Sequence, residues 1–160
     1  MQDGSIYYAL MGGRYILKFV GDVRLTLCSS LDQHLKSVLD RSYVQDILVD
    51  LTETTGIDST TLGLIAKLSI YAEQCHLPHP TIVSTNRDIT RVLMSMGFDH
   101  IFVLLDSLPQ DSADLEALPL VKESAEEIRL RIVEAHRILM NLNDSNREAF
   151  KDLMITLEDA

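Results

Sequence analysis

The sequence of 160 residues predicts an α/β fold: a mixed, mostly parallel sheet covered by helices, plus a C-terminal helical extension. Three observations carry this. Gly12-Gly13 joins two short segments rich in apolar residues, a hairpin signature. Beyond it, short apolar runs alternate with segments of helical period. From Ser124 onward only the helical period remains.

Ser5–Met11 is rich in Ile and Tyr and predicts the first strand, and the two glycines supply the positive φ of a tight turn. Residues 14–20 return as a second strand, with Tyr15, Leu17 and Phe19 alternating against Arg14 and Lys18; Gly21-Asp22 is expected to end it. From Thr26 the period changes. Cys28, Leu31, Leu35 and Val38 step by three and four along one helix face. Residues 47–51, Ile-Leu-Val-Asp-Leu, predict a central strand buried on both faces. It should lie between the strands at 14–20 and 81–84. Residues 52–57 predict a polar loop. A second helix follows through Ile65, Leu68, Ala72 and Cys75, closed by Pro78 and Pro80. Residues 81–84 are strand-like, 87–96 are helical, Gly97 sits where that helix should stop, and 101–105 form a last apolar run.

Residues 107–119 contain Pro109 and Pro119, several acids and no period, and read as a linker between a domain at 1–106 and an extension at 120–160. Ser124-Ala-Glu-Glu127 and Ser145-Asn-Arg-Glu148 both match the capping box, so two helices are expected there, joined tightly at Asn143-Asp144. Ala125, Ile128, Ile132, Ala135, Leu139 and Leu142 mark the apolar stripe of the first. A helix pair this short leaves apolar surface open, so it should dock on the domain, on another chain or on a binding partner.

Composition narrows the function. Fourteen basic against 24 acidic residues give a net charge of −10, which disfavours nucleic acid and anionic membrane as main partners. No apolar run reaches the length of a membrane span, and no signal-peptide pattern opens the chain. Cys28 and Cys75 are distant and lie in helical patterns, which suggests small core residues in a reducing cytoplasm. Cys75, His76 and His79 lack the second ligand pair that a zinc site needs. Asp50 and Asp58 have no nucleophile–base–orienter set around them, and no phosphate-binding glycine loop or nucleophile elbow is present. No catalytic residue, metal or cofactor is expected. His136 is expected at the surface or its boundary.

The most informative segment runs from Leu51 to Leu64, with Asp58 and Ser59 where the second helix begins. Free backbone N–H groups and the positive end of the helix dipole meet there, so a phosphate on Ser59 would be tolerated. Asp and Ser are equally the favoured N-cap residues, and a plain cap explains the pair as well.

A strand ending in Val49-Asp50-Leu51, a polar loop, then Ile57-Asp58-Ser59-Thr60 and Leu62-Gly63-Leu64 resembles the signature of STAS domains, which include bacterial anti-sigma factor antagonists. Gly21-Asp22-Val23 is similar to the family's turn before the first helix, and the likeness extends in element order from about Ser5 to Leu105. The resemblance implies the STAS (SpoIIAA-like) fold. It also implies that Ser59 is phosphorylated by a serine kinase and dephosphorylated by a phosphatase. The unmodified form would bind an anti-sigma factor or switch kinase through Asp22, Arg24, Asp58, Thr60, Thr61 and Leu62, freeing a sigma factor. The protein would be a substrate and binding module, not an enzyme. Two residues depart from the pattern. Thr61 replaces a glycine and adds a β-branched side chain, and Arg24 replaces a frequent aspartate and suits an acidic partner or a nearby phosphate. The segments 134–140 and 146–151 resemble the tail of HsbA-type antagonists, which act in circuits choosing between motility and biofilm growth. The alternative is a structural STAS subunit of a transporter or stress-sensing complex, without a phosphorylation switch.

Overall fold

The computed structural model describes residues 4–40, 43–109 and 115–158. Strands β1 (Ser5–Met11) and β2 (Arg14–Val23) form the hairpin, with Gly12 and Gly13 at φ 56° and 88°. A 3-10 turn at Leu25–Leu27 leads into helix α1 (Cys28–Asp40). Then come β3 (Asp46–Ile57), α2 (Ser59–Gln74), β4 (Thr81–Val83), α3 (Arg87–Ser95) and β5 (Val103–Leu105). A two-residue strand β6 (Glu116–Ala117) precedes α4 (Ala125–Met140) and α5 (Asp144–Glu158). The sheet order is β5-β4-β3-β2-β1-β6. β2 to β5 are parallel to one another, and β1 is antiparallel to both of its neighbours, β2 and β6. The mixed, mostly parallel sheet is therefore as expected, with β3 between β2 and β4.

Three local expectations need correction. Both central strands run further than the apolar pattern suggested. β2 continues through Gly21-Asp22 to Val23, and β3 continues through the polar residues 52–57, because each supplies the other's ladder: Val20 pairs with Glu53, Gly21 with Thr54, Asp22 with Gly56 and Val23 with Ile57. One register shift precedes this stretch, between Lys18 and Val20, and a second falls within it, between Gly21 and Asp22, where Gly21 takes φ 80°. Thr54 is buried and donates its hydroxyl to the Phe19 carbonyl at 2.7 Å, so a polar side chain sits inward without an unpaired group. Second, Cys75 is exposed at the end of α2, while Cys28 is buried. Third, the cap of α5 is Asn143, whose side chain accepts from Asn146 N–H at 2.7 Å; Ser145 lies within the first turn. The other capping box is present, with Glu127 N–H donating to Ser124 Oγ at 3.1 Å.

The stretch at 107–119 carries structure of its own at β6, while 110–114 lie outside the described residues. Tyr7 pairs with Ala117 and Tyr8 with Glu116, and the Tyr8 hydroxyl donates to Glu116 Oε2 at 2.8 Å. Ser30 Oγ donates to the Pro119 carbonyl at 2.5 Å and accepts from Val121 N–H at 3.1 Å. The chain thus crosses the β1 edge and α1 before α4 starts.

The core holds Tyr15, Leu17, Phe19, Val49, Leu51, Leu64, Ile65, Leu68, Ile82 and Leu93, and Leu139 of α4 joins it with no exposed surface. α4 packs on α2, and α5 packs on α4. The joint between them is tied to the end of α3. Asn146, nearly fully buried, donates from Nδ2 to the Met96 carbonyl at 2.8 Å and to the Leu139 carbonyl at 2.9 Å. Among the described residues no helix is long and apolar enough to cross a membrane.

Candidate functional site at the start of α2

Strands β2 and β3 leave the sheet side by side, so their following loops meet. Asp58 N–H donates to the Val23 carbonyl at 3.2 Å, and Leu25 N–H donates to Asp58 Oδ2 at 2.6 Å. The other carboxylate oxygen caps α2, accepting from Thr61 N–H at 2.9 Å and the Thr61 hydroxyl at 2.8 Å. Asp58 is therefore fully engaged in local structure: it closes one helix and pins the turn into another.

Ser59 is the first residue of α2, and its hydroxyl is not used as the cap. It lies 2.7 Å from Nε2 of His136, which projects from α4. His136 Nδ1 lies 2.7 Å from the Ile132 carbonyl, which can only accept, so Nδ1 carries a proton. In the neutral ring Nε2 is then the acceptor, and the Ser59 hydroxyl donates. His136 is 2% exposed, and its ring meets the Phe150 ring of α5 edge-on at 5.0 Å. The expectation of a histidine at the surface or its boundary is thus wrong, and Ser59 is only partly accessible. The physical reason is the docking of α4 across the start of α2.

Gly63 makes that docking possible. A Cβ at this position would overlap the Ala135 carbonyl of α4. Ion pairs flank the contact. Asp32 of α1, nearly fully buried, pairs with Lys67 of α2 at 3.1 Å and Arg131 of α4 at 3.3 Å; Lys67 also holds Glu134 of α4 at 2.7 Å. Arg131 pairs with Glu123 as well. Burial alone would raise the Asp32 carboxyl, but Lys67 and Lys36 outweigh it and hold it below its ordinary value.

The remaining residues singled out by sequence divide into two sets. Asp22 and Arg24 stand beside Asp58 at the strand exits, joined by an ion pair of 2.9 Å, with Arg24 largely exposed. Thr60, Thr61 and Leu62 are buried. The side chain that Thr61 adds in place of a glycine turns inward: its hydroxyl donates to Asp58 and contacts Cys28 Sγ at 3.4 Å. Thr60 lines a crevice with Leu25, Cys28, Ile128, Arg131 and Ile132, too tight to admit a water molecule. None of the three offers a free contact surface in this conformation. Sequence reasoning missed His136, although it carried a signal: Ile132, His136 and Leu139 step by four and three on the apolar stripe.

No family model matches the chain, and no curated protein matches it either. Solved structures do. One is a protein of Thermotoga maritima assigned as an anti-sigma factor antagonist, similar with a TM-score of 0.56 and 22% identity over 63% of this chain and 86% of that one. Another is an anti-sigma factor antagonist of Mycobacterium paratuberculosis, with a TM-score of 0.54 and 18% identity over 66% of this chain and 88% of that one. The chain has the fold of these antagonists, and about a third of its length lies beyond the match.

Proposed function

We propose that this protein is an anti-sigma factor antagonist whose affinity for an anti-sigma factor or switch kinase is set by reversible phosphorylation of Ser59. One observation carries the reading. Asp58 does all the capping of α2, so the Ser59 hydroxyl is surplus to the helix while standing at its anion-tolerant end. The Asp22–Arg24 pair beside the preceding Asp58, with Arg24 exposed and Asp22 partly buried, supports a contact surface at the strand exits. The shared fold supports the class of partner. In this reading the chain is a substrate of a serine kinase and phosphatase rather than a catalyst, and it works in the cytoplasm; the motility-versus-biofilm circuit suggested by the tail is part of the same proposal.

Intact mass and peptide mapping after incubation with ATP and lysate of the source cells test it. One phosphoryl group on Ser59, absent in Ser59→Ala, is the expected result. Capture from that lysate should return an anti-sigma factor with wild type and less of it with Ser59→Asp. Phosphate found elsewhere, or equal capture by both forms, refutes the switch.

A further inference from the structure

We propose that the C-terminal hairpin α4–α5 is an intramolecular lid on Ser59, and that a phosphoryl group on Ser59 and a docked α4 exclude each other. The inference rests on the reading of Ser59 as phosphoacceptor and adds its regulation. Phosphorylation moves the γ-phosphoryl of ATP to Ser59 Oγ. The bond from phosphorus to the ADP oxygen breaks, and the hydroxyl proton leaves to the kinase's general base. With α4 docked, that proton is directed at His136 Nε2, 2.7 Å away, so transfer to Oγ needs this contact broken. The ring is held from two other sides: its second nitrogen meets the Ile132 carbonyl, and Phe150 packs on it edge-on. His136 is nearly fully buried under α4, so a phosphoryl group bearing about two negative charges on Oγ has to displace it.

The closed state is built by contacts that do not involve Ser59. Gly63 admits the Ala135 backbone, Lys67 and Asp32 reach Glu134 and Arg131, and Leu139 enters the core. The lid therefore has its own docking energy, set against any event that needs Oγ free. Coupling of this kind is reciprocal: phosphate weakens the lid by the same factor by which the lid resists phosphate. Opening would uncover Val133, Ala135 and Leu139 on α4 and the start of α2 together, so the mark would change far more surface than one side chain.

The test uses the full chain as wild type, Ser59→Ala, Ser59→Glu and Gly63→Ala. Deuterium exchange over 125–158 is the first readout, with β2 and β3 as the fold control. Ser59→Glu should speed exchange of the tail about tenfold, within the range of roughly 5–150-fold typical of coupled sites, while Ser59→Ala changes it little. Gly63→Ala leaves Ser59 intact and drives a methyl into the Ala135 carbonyl, so it should loosen the same segment. The second readout is phosphate uptake at Ser59 in lysate with ATP, expected to be about tenfold faster for Gly63→Ala than for wild type. A tail equally protected in Ser59→Glu and wild type overturns the lid, as does a Gly63→Ala chain phosphorylated no faster than a wild type that is itself phosphorylated. If Gly63→Ala and Ser59→Glu both open the tail but no form takes phosphate, the kinase reading fails and the lid stands.

Discussion

Asp32 is where the tail is most exposed to a single substitution. Its carboxylate, 5% accessible as a side chain, meets Lys36, Lys67 and Arg131, and so ties α1 to both α2 and α4. Removing one partner from a buried ion pair costs ~3–5 kcal/mol when it strands the other charge. Here the stranding is partial. Lys67 keeps Glu134, Arg131 keeps Glu123, and Lys36 is largely in solvent. Asp32→Ala is therefore expected to lose about 2 kcal/mol, near the worth of one hydrogen bond to a charged group. At roughly 2–4 °C per kcal/mol for a chain of this size, Tm should fall by about 4–8 °C. Asp32→Asn keeps the shape but not the charge and should fall between. Calorimetry reads the total, and deuterium exchange locates it in α4. The same carboxyl gives a pH signature. Its folded pKa lies below its ordinary value, so its contribution is complete above that ordinary value and disappears as pH falls through the folded one. A Tm shift under about 1 °C in Asp32→Ala would show that the network is solvated in fact, and would refute the reasoning.

Other substitutions probe separate parts of the fold. Asn146→Ala strips a donor from two carbonyls in a buried joint and should cost ~1–3 kcal/mol in urea unfolding, with Asn146→Asp no better, since a carboxylate cannot donate to them. Burial pushes the Cys28 thiol up to about 12, whereas Cys75 is exposed, so the native protein should titrate one thiol with Ellman's reagent and two only after denaturation. Burial lowers the pKa of His34, which packs on Tyr8 at 4.1 Å between ring centroids. The unfolded chain then takes up the proton first, and stability should decline as pH drops below about 6.5; a His34→Gln variant with the same pH dependence would exclude this cause.

How far the sequence foretold this molecule depended on the range of the forces involved. The hairpin at Gly12-Gly13, the core run at 47–51 and the stripe of α4 are local patterns, and each marks an element that exists. The second half of β3 was hidden because Thr52 to Gly56 become strand only through the parallel ladder with β2, contacts that no local period records. β6 has the same cause in extreme form: two residues, one charged, become a strand because the β1 edge is open to them. At the site, Asp58 and Ser59 were legible as a helix start. Their link to His136, 77 positions away, was not, since a histidine on an apolar stripe says that something covers it without saying what. Gly63 was the other half of that message: a glycine inside a helix points to close approach by a second backbone, and here that backbone is Ala135.

The pinning of the chain at β6 and Ser30 fixes how long a leash the tail has. Val121 is held by Ser30 and α4 begins at Ala125, so only residues 122–124 stand between an anchored point and the first helical residue. A hairpin released from α2 on so short a tether remains at an effective concentration on the order of millimolar or above. An outside helix with the same intrinsic affinity for α2, present at about one micromolar, would then occupy that face roughly one time in a thousand. Competition by abundance is closed to any partner that wants this surface; it must bind far more tightly, use a different face, or wait for the tethered occupant to be evicted by chemistry at its own contact point. Cutting the chain between Lys122 and Glu123 would abolish that advantage while keeping the Glu123–Arg131 pair and the Ser124 cap with α4.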